Sequence, residues 1–304
     1  MNVLIIGLGS IGLKHYNIIK RLKPEAKFYA LRSGIESMQV NGIENIFKKD
    51  NLHKFDFDFA IISSPSYLHL DDILNIINLD IPIFVEKPIV TNLDQLNFIE
   101  NINKEKYIHV AYNLRFHPLI NFIKKYIQNN QFKINEVNSY CGSYLPNWRP
   151  QKDYKKTYSA NKSLGGGVHL DLIHEPDYII YLFGLPSRSS CSYRKISNLD
   201  IDSIDYANIK FEYEEFSAQI ILNYFRKDTK RTLEIITEND SIIVDFVENN
   251  IYSVNKKGII FSSNEDLMSV SYVKQMEYFL NMVSDKKRFK SNLDTAIQTM
   301  KYLL

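Results

Sequence analysis

Three glycines near the amino terminus have the spacing of a phosphate-binding turn. Gly7–Gly12 has the pattern G-x-G-x-x-G and lies directly after the apolar run Val3–Ile6, where a helical pattern begins. In a strand–turn–helix context, the first glycine permits a tight turn, the second lets the backbone approach a pyrophosphate, and the third permits close packing of helix on strand. The pattern predicts dinucleotide binding, and the alternative is a glycine turn with a structural role only. The predicted cofactor contacts here are Gly7, Gly9, Ser10, Ile11 and Gly12.

The residues after the second apolar run bear on the choice between NAD and NADP. An acidic residue at this position holds the ribose hydroxyls of NAD, whereas an arginine accommodates the 2′-phosphate of NADP. Lys27–Leu31 is followed by Arg32 and Ser33, and no acidic residue ends the run. We therefore predict that Arg32 and Ser33 bind the 2′-phosphate, so that NADP(H) is favoured and NAD(H) is the second candidate. The alternative for Arg32 is a solvated surface arginine.

The loop after the third apolar run, Phe59–Ile62, carries Ser64, Pro65 and His69. In a doubly wound sheet, such a loop lies at the carboxyl end of the strands, beside the cofactor crevice. We predict that these three residues contact the cofactor. His69 taken alone is more typical of a structural or surface histidine than of a catalyst.

A lysine follows the fourth apolar run, Ile83–Val85, in the tripeptide Glu86-Lys87-Pro88. Proline holds the preceding residue in an extended or turn geometry. A lysine fixed at this place points into the crevice where a nicotinamide ring lies, and Glu86 is predicted to border the cofactor too. The alternative is an exposed lysine paired with Glu86.

The elements that carry these loops alternate between strand and helix over the first 115 residues. The strand-like runs are nearly continuous in apolar residues, as in parallel strands buried on both faces. The predicted strands are Val3–Ile6, Lys27–Leu31, Phe59–Ile62, Ile83–Val85 and Tyr107–Ala111, and the predicted helices are Ile11–Leu22, Tyr67–Leu79 and Leu93–Asn103. This alternation predicts an α/β fold with a Rossmann dinucleotide-binding domain over residues 1–115.

The pattern changes from residue 116 onwards. A helical stretch, an irregular segment and a second helical stretch after Gly165–Gly167 come first. Runs with period-2 alternation then recur about every ten residues, which is typical of antiparallel strands. These runs are Ala207–Tyr213, Ser217–Tyr224, Thr232–Thr237, Ser241–Phe246 and Gly258–Phe261, and two helices follow. We predict a substrate-binding and oligomerisation domain of the α+β class over residues 116–304, with a large open, mainly antiparallel sheet.

Composition argues against several classes of protein. The 304 residues include 37 Lys+Arg and 35 Asp+Glu, so a net charge of +2 gives no electrostatic reason to expect nucleic acid or an anionic membrane as a partner. The two cysteines, Cys141 and Cys191, cannot form a disulfide scaffold, and the histidines lack metal-ligand spacing. No apolar run approaches the roughly 18 residues of a membrane span. We expect a cytoplasmic protein that uses no metal and acts on a small molecule.

Aromatic and basic side chains alternate in residues 144–158. Aromatic rings can stack on a sugar or nucleoside, and cations can bind phosphate or carboxylate. The predicted substrate contacts in this segment are Trp148, Arg149, Tyr154 and Tyr158. The alternative is a surface loop that packs on its own domain or on a neighbouring subunit.

Two polar residues follow the fifth predicted strand. Asn113 is placed to contact the nicotinamide or the substrate, and Arg115 can hold an acidic group of the substrate. A helix-capping or domain-bridging role is the alternative for each residue.

Together these motifs resemble the Gfo/Idh/MocA family, the relatives of glucose–fructose oxidoreductase and inositol dehydrogenase. The resemblance covers the whole chain and includes Gly165–Gly167 followed by Asp171 and His174. The first glycine motif is generic, whereas Glu86-Lys87-Pro88 combined with the triple glycine is specific. The resemblance implies hydride transfer between a nicotinamide cofactor and a secondary alcohol or ketone of a sugar, nucleotide sugar or cyclitol.

The resemblance also implies roles for three residues, each a candidate for both catalysis and substrate binding. Lys87 would orient or polarise the reacting oxygen, His174 would accept the hydroxyl proton, and Asp171 would orient the substrate or support charge. An imidazole suits this task because its usual pKa of about 6.5 lets it accept and return protons near neutrality. Residues three apart share a helix face, so Asp171 and His174 can meet at one site.

The chain departs from the family pattern in three ways. The family more often has three residues between the aspartate and the histidine, and here there are two. Pro176 follows closely, so either the helix bends there or a new helix starts. His169 stands where the family usually has an apolar residue. We interpret it mainly as a packing residue and keep it among the candidate substrate contacts.

The primary interpretation is therefore an NAD(P)-dependent oxidoreductase. The alternatives are a cofactor-binding sensor without turnover and a reductase of a non-sugar substrate. An open antiparallel sheet leaves an apolar face that must be covered, so we expect a homodimer or homotetramer.

Overall fold

A computed structural model describes residues 1–34, 39–102, 107–285 and 289–304. The chain divides into two compact units. Unit 1 comprises residues 1–112 and 272–300, and unit 2 comprises residues 113–271 and 301–304.

Unit 1 is built on a six-stranded parallel sheet. Its strands are β1 (Asn2–Ile6), β2 (Lys27–Leu31), β3 (Ile43–Ile46), β4 (Phe59–Ile62), β5 (Ile83–Val85) and β6 (Ile108–Val110). They lie in the order β3-β2-β1-β4-β5-β6, which is the order of a doubly wound dinucleotide-binding fold. The order reverses between β1 and β4, and ligands of such sheets bind beyond the carboxyl ends of the strands at this point. The loops after β1 and β4 therefore border the predicted cofactor crevice.

Three helices connect the strands of unit 1: α1 (Ser10–Leu22), α2 (His69–Ile76) and α3 (Leu93–Ile99). All four residues of β4 are buried, as expected for a central parallel strand. The helix predicted over Leu93–Asn103 ends at Ile99, and Asn103 lies outside the described residues.

The carboxyl-terminal helices, α7 (Leu267–Val283) and α8 (Leu293–Lys301), return to unit 1 for most of their length. The ring of Phe279 packs edge-on against Phe59 and Phe84, with centroid distances of 5.3 and 5.1 Å. The Asn292 side chain exchanges hydrogen bonds of 2.7 and 2.9 Å with the backbone of Val110. The second domain was predicted to include these helices. The structure differs because their apolar side chains complete the core of the parallel sheet.

Unit 2 contains an eight-stranded sheet. Its strands are β7 (Ile134–Gly142), β8 (Arg188–Arg194), β9 (Tyr206–Glu212), β10 (Ser217–Asn223), β11 (Lys230–Thr237), β12 (Ser241–Asp245), β13 (Asn250–Ser253) and β14 (Gly258–Ser262). Their order is β14-β13-β12-β11-β7-β10-β9-β8. The β7–β10 pair is parallel, whereas the other six neighbouring pairs are antiparallel. The predicted fold class, a Rossmann domain joined to a mainly antiparallel sheet, is confirmed.

The two faces of this sheet differ in composition. On the inner face, the Tyr178 hydroxyl lies 2.7 Å from Ser139 Oγ, which joins α6 (His174–Phe183) to β7. Two further helices of unit 2 are α4 (Pro118–Asn130) and α5 (Val168–Asp171). The outer face mixes half-buried apolar side chains with polar ones. Ile243, for example, lies beside Glu234 in the register. The outer face is therefore less apolar than the sequence pattern predicts.

Among the described residues, no helix has both the length and the apolar character needed to cross a membrane. The same residues contain no cluster of three or more His, Cys, Asp or Glu side chains arranged to hold a metal ion.

Candidate active site

The glycine loop of unit 1 is packed so closely that two of its positions admit only glycine. Gly7 has a φ of +87°, and a Cβ there would lie 2.2 Å from the amide nitrogen of Ser64. A Cβ on Gly12 would lie 2.4 Å from the carbonyl oxygen of Gly7. These glycines let the loops after β1 and β4 touch, with Ser63 Oγ donating a 2.7 Å hydrogen bond to that same carbonyl.

Gly9 has a different environment. A Cβ at this position would meet no heavy atom of the described residues within 4 Å. The first helical hydrogen bond of α1 runs from Leu13 N–H to Gly9 O, so the amides of Ser10, Ile11 and Gly12 precede it. Such amides lack intrahelical acceptors and attract anions. The open space at Gly9 and the uncapped start of α1 fit the pyrophosphate of a dinucleotide.

Arg32 and Ser33 lie at the end of β2, as the sequence predicts. The Arg32 amide donates a 2.8 Å hydrogen bond to the carbonyl of Ile46 in β3, which fixes the backbone at this point. The Arg32 side chain is half-buried and Ser33 is exposed. Their contact with a 2′-phosphate stays a prediction.

Ser64 and Pro65 begin the loop that follows β4. Ser64 Oγ lies 2.5 Å from Oδ2 of Asp72 on α2, so this hydroxyl donates to a carboxylate of its own unit. Burial raises the pKa of the Asp72 carboxyl, and the bond from Ser64 opposes that effect. Pro65 precedes a short 3₁₀ turn that leads into α2.

His69 lies between the loops that follow β4 and β5. Its ring is buried, with Nδ1 2.7 Å from the carbonyl oxygen of Pro88 and Nε2 3.0 Å from that of Ser64. Burial lowers the pKa of the imidazole, and the two carbonyl groups oppose this effect. The ring thus bridges two loops of the crevice, and its predicted contact with a cofactor stays a prediction.

Glu86 forms an ion pair that the sequence analysis did not anticipate. Its Oε1 lies 2.7 Å from Nε2 of His15 on α1, and both residues are buried. Burial raises the pKa of the Glu86 carboxyl, but the hydrogen bond and charge of His15, with the charge of Lys87, bring it below the usual value. The sequence signal that could have pointed to this pair is the position of His15, which lies one turn after Gly12 on the buried face of α1.

Lys87 is half-buried and comes directly after Glu86 in the sequence. Its backbone N–H lies 3.3 Å from Oε2 of Glu86, and its peptide bond to Pro88 is cis. The His69 ring hydrogen-bonds the carbonyl of Pro88, so the backbone is held by hydrogen bonds on both sides of Lys87. The structure therefore provides a rigid base for the lysine at the end of β5.

In unit 2, Asp171 is the last residue of α5 and His174 is the first residue of α6. The two residues thus belong to two short helices rather than to one face of a continuous helix. Of the two outcomes considered for Pro176, a new helix starts, and it starts at His174. Pro176 then occupies the first turn of α6, where a backbone donor has no intrahelical acceptor.

Asp171 is buried and accepts a hydrogen bond from a residue that the sequence analysis did not single out. The hydroxyl of Tyr224, just after β10, lies 2.5 Å from Asp171 Oδ2. Asp171 N–H also donates to Gly167 O at 3.0 Å. The triple glycine shapes this region, because a Cβ on Gly166 would lie 2.2 Å from the carbonyl oxygen of Tyr158.

His169 packs as the sequence analysis favours. Its ring stacks on Tyr193 with a centroid distance of 4.4 Å, and burial lowers its pKa to about 4. The imidazole is therefore neutral near pH 7. A contact with substrate remains untested.

Asn113 and Arg115 both bind side chains of unit 2. Asn113 Nδ2 donates to Ser271 Oγ at 2.8 Å. Arg115 forms a bidentate pair with the buried Asp177, at 3.0 Å from Nε and 2.6 Å from Nη2. Burial raises the pKa of the Asp177 carboxyl, and Arg115 opposes that effect. These bonds give both residues a structural role, and their ligand contacts stay predictions.

The predicted substrate segment is partly ordered by its own contacts. Trp148 Nε1 donates to Ser143 Oγ at 2.7 Å, and the exposed Arg149 lies over the Tyr158 ring at 5.5 Å. The Tyr154 hydroxyl accepts a bond of 3.4 Å from the Asp200 amide. Packing on its own unit, the alternative considered above, thus accounts for several of these side chains.

Comparison with known proteins agrees with this geometry. Residues 1–113 match the Gfo/Idh/MocA family model, described as an oxidoreductase family with an NAD-binding Rossmann fold. The predicted Rossmann fold in the amino-terminal part of the chain is thereby confirmed. The uncharacterized oxidoreductase YrbE of Bacillus subtilis (strain 168) is 28% identical over 236 residues. That match covers 72% of this chain and 65% of the relative's length.

Solved structures show the same fold over nearly the whole chain. Myo-inositol 2-dehydrogenase from Lactobacillus plantarum matches with a TM-score of 0.80 and 18% identity, covering 99% of this chain and 94% of that one. The WlbA dehydrogenase from Bordetella pertussis, solved with NADH and UDP-GlcNAcA, matches with a TM-score of 0.81 and 15% identity, covering 100% and 93%.

Proposed function

Because residues 1–113 match the Gfo/Idh/MocA family of oxidoreductases, we propose that the protein transfers a hydride between a nicotinamide cofactor and a secondary alcohol or ketone. The proposed substrate is a sugar, nucleotide sugar or cyclitol. The names of two structural neighbours support this class, since one is a myo-inositol 2-dehydrogenase and the other was solved with UDP-GlcNAcA.

The observation that carries the proposal is the glycine loop. Gly7 and Gly12 are fixed by contacts with neighbouring backbone, while Gly9 faces open space at the start of α1. This arrangement leaves the first amides of α1 for a pyrophosphate. The nicotinamide supplies the hydride acceptor or donor when bound.

NADP(H) is the proposed cofactor. Arg32 follows β2 directly, at the position where a basic side chain can pair with a 2′-phosphate. Michaelis constants for NADH and NADPH test this choice. A lower constant for NADPH is expected, and a tenfold preference for NADH would contradict it.

The residues proposed to act on the substrate oxygen are Lys87, Asp171 and His174. The Lys87 ammonium would orient the oxygen and stabilise negative charge on it. His174 would take the hydroxyl proton during oxidation and return it during reduction. Asp171 would support the positive charge that His174 then carries.

The direct test is incubation of the purified protein with NADP⁺ or NAD⁺ and a panel of sugars, nucleotide sugars and cyclitols. We expect the absorbance of the reduced nicotinamide to increase with at least one panel member. Tight cofactor binding without turnover of any member would instead favour a sensor. Turnover restricted to ketones or imines outside the panel would favour a reductase of another substrate.

A homodimer or homotetramer is the proposed assembly. The outer face of the unit 2 sheet carries half-buried apolar side chains that a second copy can cover: Tyr140, Ile221, Ile236, Ile243 and Tyr252. Light scattering coupled to gel filtration tests this assembly. A monomer mass at micromolar concentration would contradict it, and Ile236→Glu is expected to reduce the measured mass.

A further inference from the structure

Asp171 is held by the hydroxyl of a tyrosine that no motif pointed to. Tyr224 is fully buried, and its hydroxyl lies 2.5 Å from Asp171 Oδ2. A carboxylate accepts hydrogen bonds and a phenol can donate one.

A second phenol is influenced by the same carboxylate. The charge of Asp171, followed by burial, raises the pKa of Tyr158. Burial, followed by the charge of Asp171, raises the pKa of Tyr224 well above its usual value. Both phenols therefore stay protonated at neutral pH, and Tyr224 is a donor to Asp171 and not a base.

Tyr224 is itself fixed on all sides. Its N–H donates to Asp205 O at 3.0 Å, and its carbonyl accepts from Leu145 N–H at 2.8 Å. The indole of Trp148 packs edge-on against its ring, at 5.3 Å between centroids. The hydroxyl of Tyr224 thus meets Asp171 in a preset position, which lowers the entropic cost of the bond.

We infer that Tyr224 is a positioning residue whose hydroxyl holds the Asp171 carboxylate fixed in direction. The inference rests on the proposed function of Asp171 as a partner of the proton-transferring histidine. The aromatic content of residues 144–158 is then explained in part by support for Asp171, through Trp148 behind Tyr224.

The bond from Tyr224 predicts a specific effect on the Asp171 carboxyl group. Loss of this donor removes the hydrogen bond to Oδ2 and with it the restraint on the direction of the carboxylate.

The substitution Tyr224→Phe removes one donor and keeps the ring that Trp148 packs against. A matched control is Tyr178→Phe, because Tyr178 is also fully buried in unit 2 and its hydroxyl bonds Ser139 instead of Asp171.

The first measurement needs no substrate. The protein is labelled with ¹³C at aspartate carboxyl carbons, the Asp171 signal is assigned with Asp171→Asn, and its chemical shift is measured at about pH 7, where the phenols are protonated. In Tyr224→Phe this signal is expected to move because a hydrogen bond to the carboxyl group is lost, whereas in Tyr178→Phe it is expected to stay in place. An unchanged signal in Tyr224→Phe, or an equal shift in both variants, would overturn the inference.

The second measurement uses any substrate found in the panel. Tyr224→Phe is expected to lower kcat by about tenfold, as loss of a bond to a charged group implies. The cofactor KM is expected to change by less than about twofold, because only the bond to Asp171 is lost. Equal losses of kcat in Tyr224→Phe and Tyr178→Phe would contradict a positioning role. If no substrate is turned over, the proposed function fails while the ¹³C signal of Asp171 still decides the role of Tyr224.

Discussion

Nε2 of His15 lies 2.7 Å from Oε1 of Glu86, and the two side chains are only 1% and 11% exposed. His15 belongs to α1, which starts at the glycine loop, and Glu86 immediately precedes Lys87. The pair therefore joins the helix that fits a pyrophosphate to the loop of the proposed catalytic lysine. The edge of the His15 ring also packs on Phe84 in β5, at 5.0 Å between centroids.

Removal of His15 is expected to destabilise unit 1. His15→Leu leaves the Glu86 carboxylate buried without its partner, and such a loss costs about 3 kcal/mol. The free energy of unfolding in urea measures the effect. In the double variant with Glu86→Gln, the second substitution is expected to cost less than it does in the wild type, because the neutral amide no longer needs the imidazole. Strictly additive losses would show that the two residues do not interact.

The same pair predicts how stability depends on pH. Because the folded protein holds the pKa of Glu86 below its usual value of 4.5, ionised Glu86 contributes stability above that value. The contribution is lost as pH falls through the lowered pKa of the folded state. Unfolding free energies of wild type and Glu86→Gln are therefore expected to converge as the pH falls below 4.5 and through the lowered pKa of Glu86. A constant difference across this range would argue against the assignment.

Much of the fold follows from local sequence pattern. Strands β1, β2, β4 and β5 are mainly apolar runs followed by glycine, arginine, serine and glutamate respectively, and each was predicted within one residue. β3, β7, β8 and β13 were missed because each carries several polar residues and lacks a sustained apolar run. The return of α7 to the first sheet was missed as well. The apolar residues of α7 could pack against either sheet. Which sheet they cover depends on tertiary contacts that the local sequence pattern does not encode.

The candidate site shows the same division. Gly7, Lys87 and Asp171 follow from motif spacing, because a short segment fixes their local geometry. Their partners do not, since His15 and Tyr224 reach Glu86 and Asp171 across 71 and 53 residues of sequence. A single sequence gives no measure of such pairings. Only the packing of α1 and the end of β10 brings these side chains into contact.

The glycines of the phosphate loop are expected to respond differently to alanine. At Gly12 the new Cβ would lie 2.4 Å from Gly7 O, so Gly12→Ala is expected to lower the free energy of unfolding by about 2 kcal/mol through overpacking. At Gly9 the Cβ meets no described atom within 4 Å, so Gly9→Ala is expected to leave stability within about 1 kcal/mol of wild type.

Cofactor affinity is expected to distinguish the Gly9 and Gly12 variants further. Gly9→Ala is expected to weaken NADPH binding by about tenfold, because the methyl group occupies the place of the pyrophosphate. Fluorescence titration gives the dissociation constant and chemical denaturation the stability. A stable Gly9→Ala protein with unchanged affinity would show that the cofactor does not approach this loop.

Arg32 is expected to affect one cofactor only. Arg32→Ala removes the proposed partner of the 2′-phosphate, so the dissociation constant for NADPH should rise by about tenfold, the effect of losing a charge-assisted contact. The dissociation constant for NADH should change little. Arg21→Ala is the matched control, because Arg21 is an exposed arginine of the same unit. Equal weakening of both cofactors would mean that Arg32 supports the fold or the adenosine and does not select between them.

Lys87 and His174 are expected to matter for turnover and not for cofactor binding. Lys87→Met removes the cation that orients the reacting oxygen, and His174→Ala removes the proton acceptor. Each should lower kcat by about 100-fold or more, the usual contribution of a positioned acid or base. The dissociation constant for NADPH should stay near the wild-type value, because neither change alters the glycine loop.

Lys54→Met, a change at an exposed lysine of unit 1, serves as the control for loss of charge and is expected to keep wild-type turnover. Near wild-type turnover in both Lys87→Met and His174→Ala would remove these residues from the mechanism and leave the glycine loop as the part of the proposal that stands.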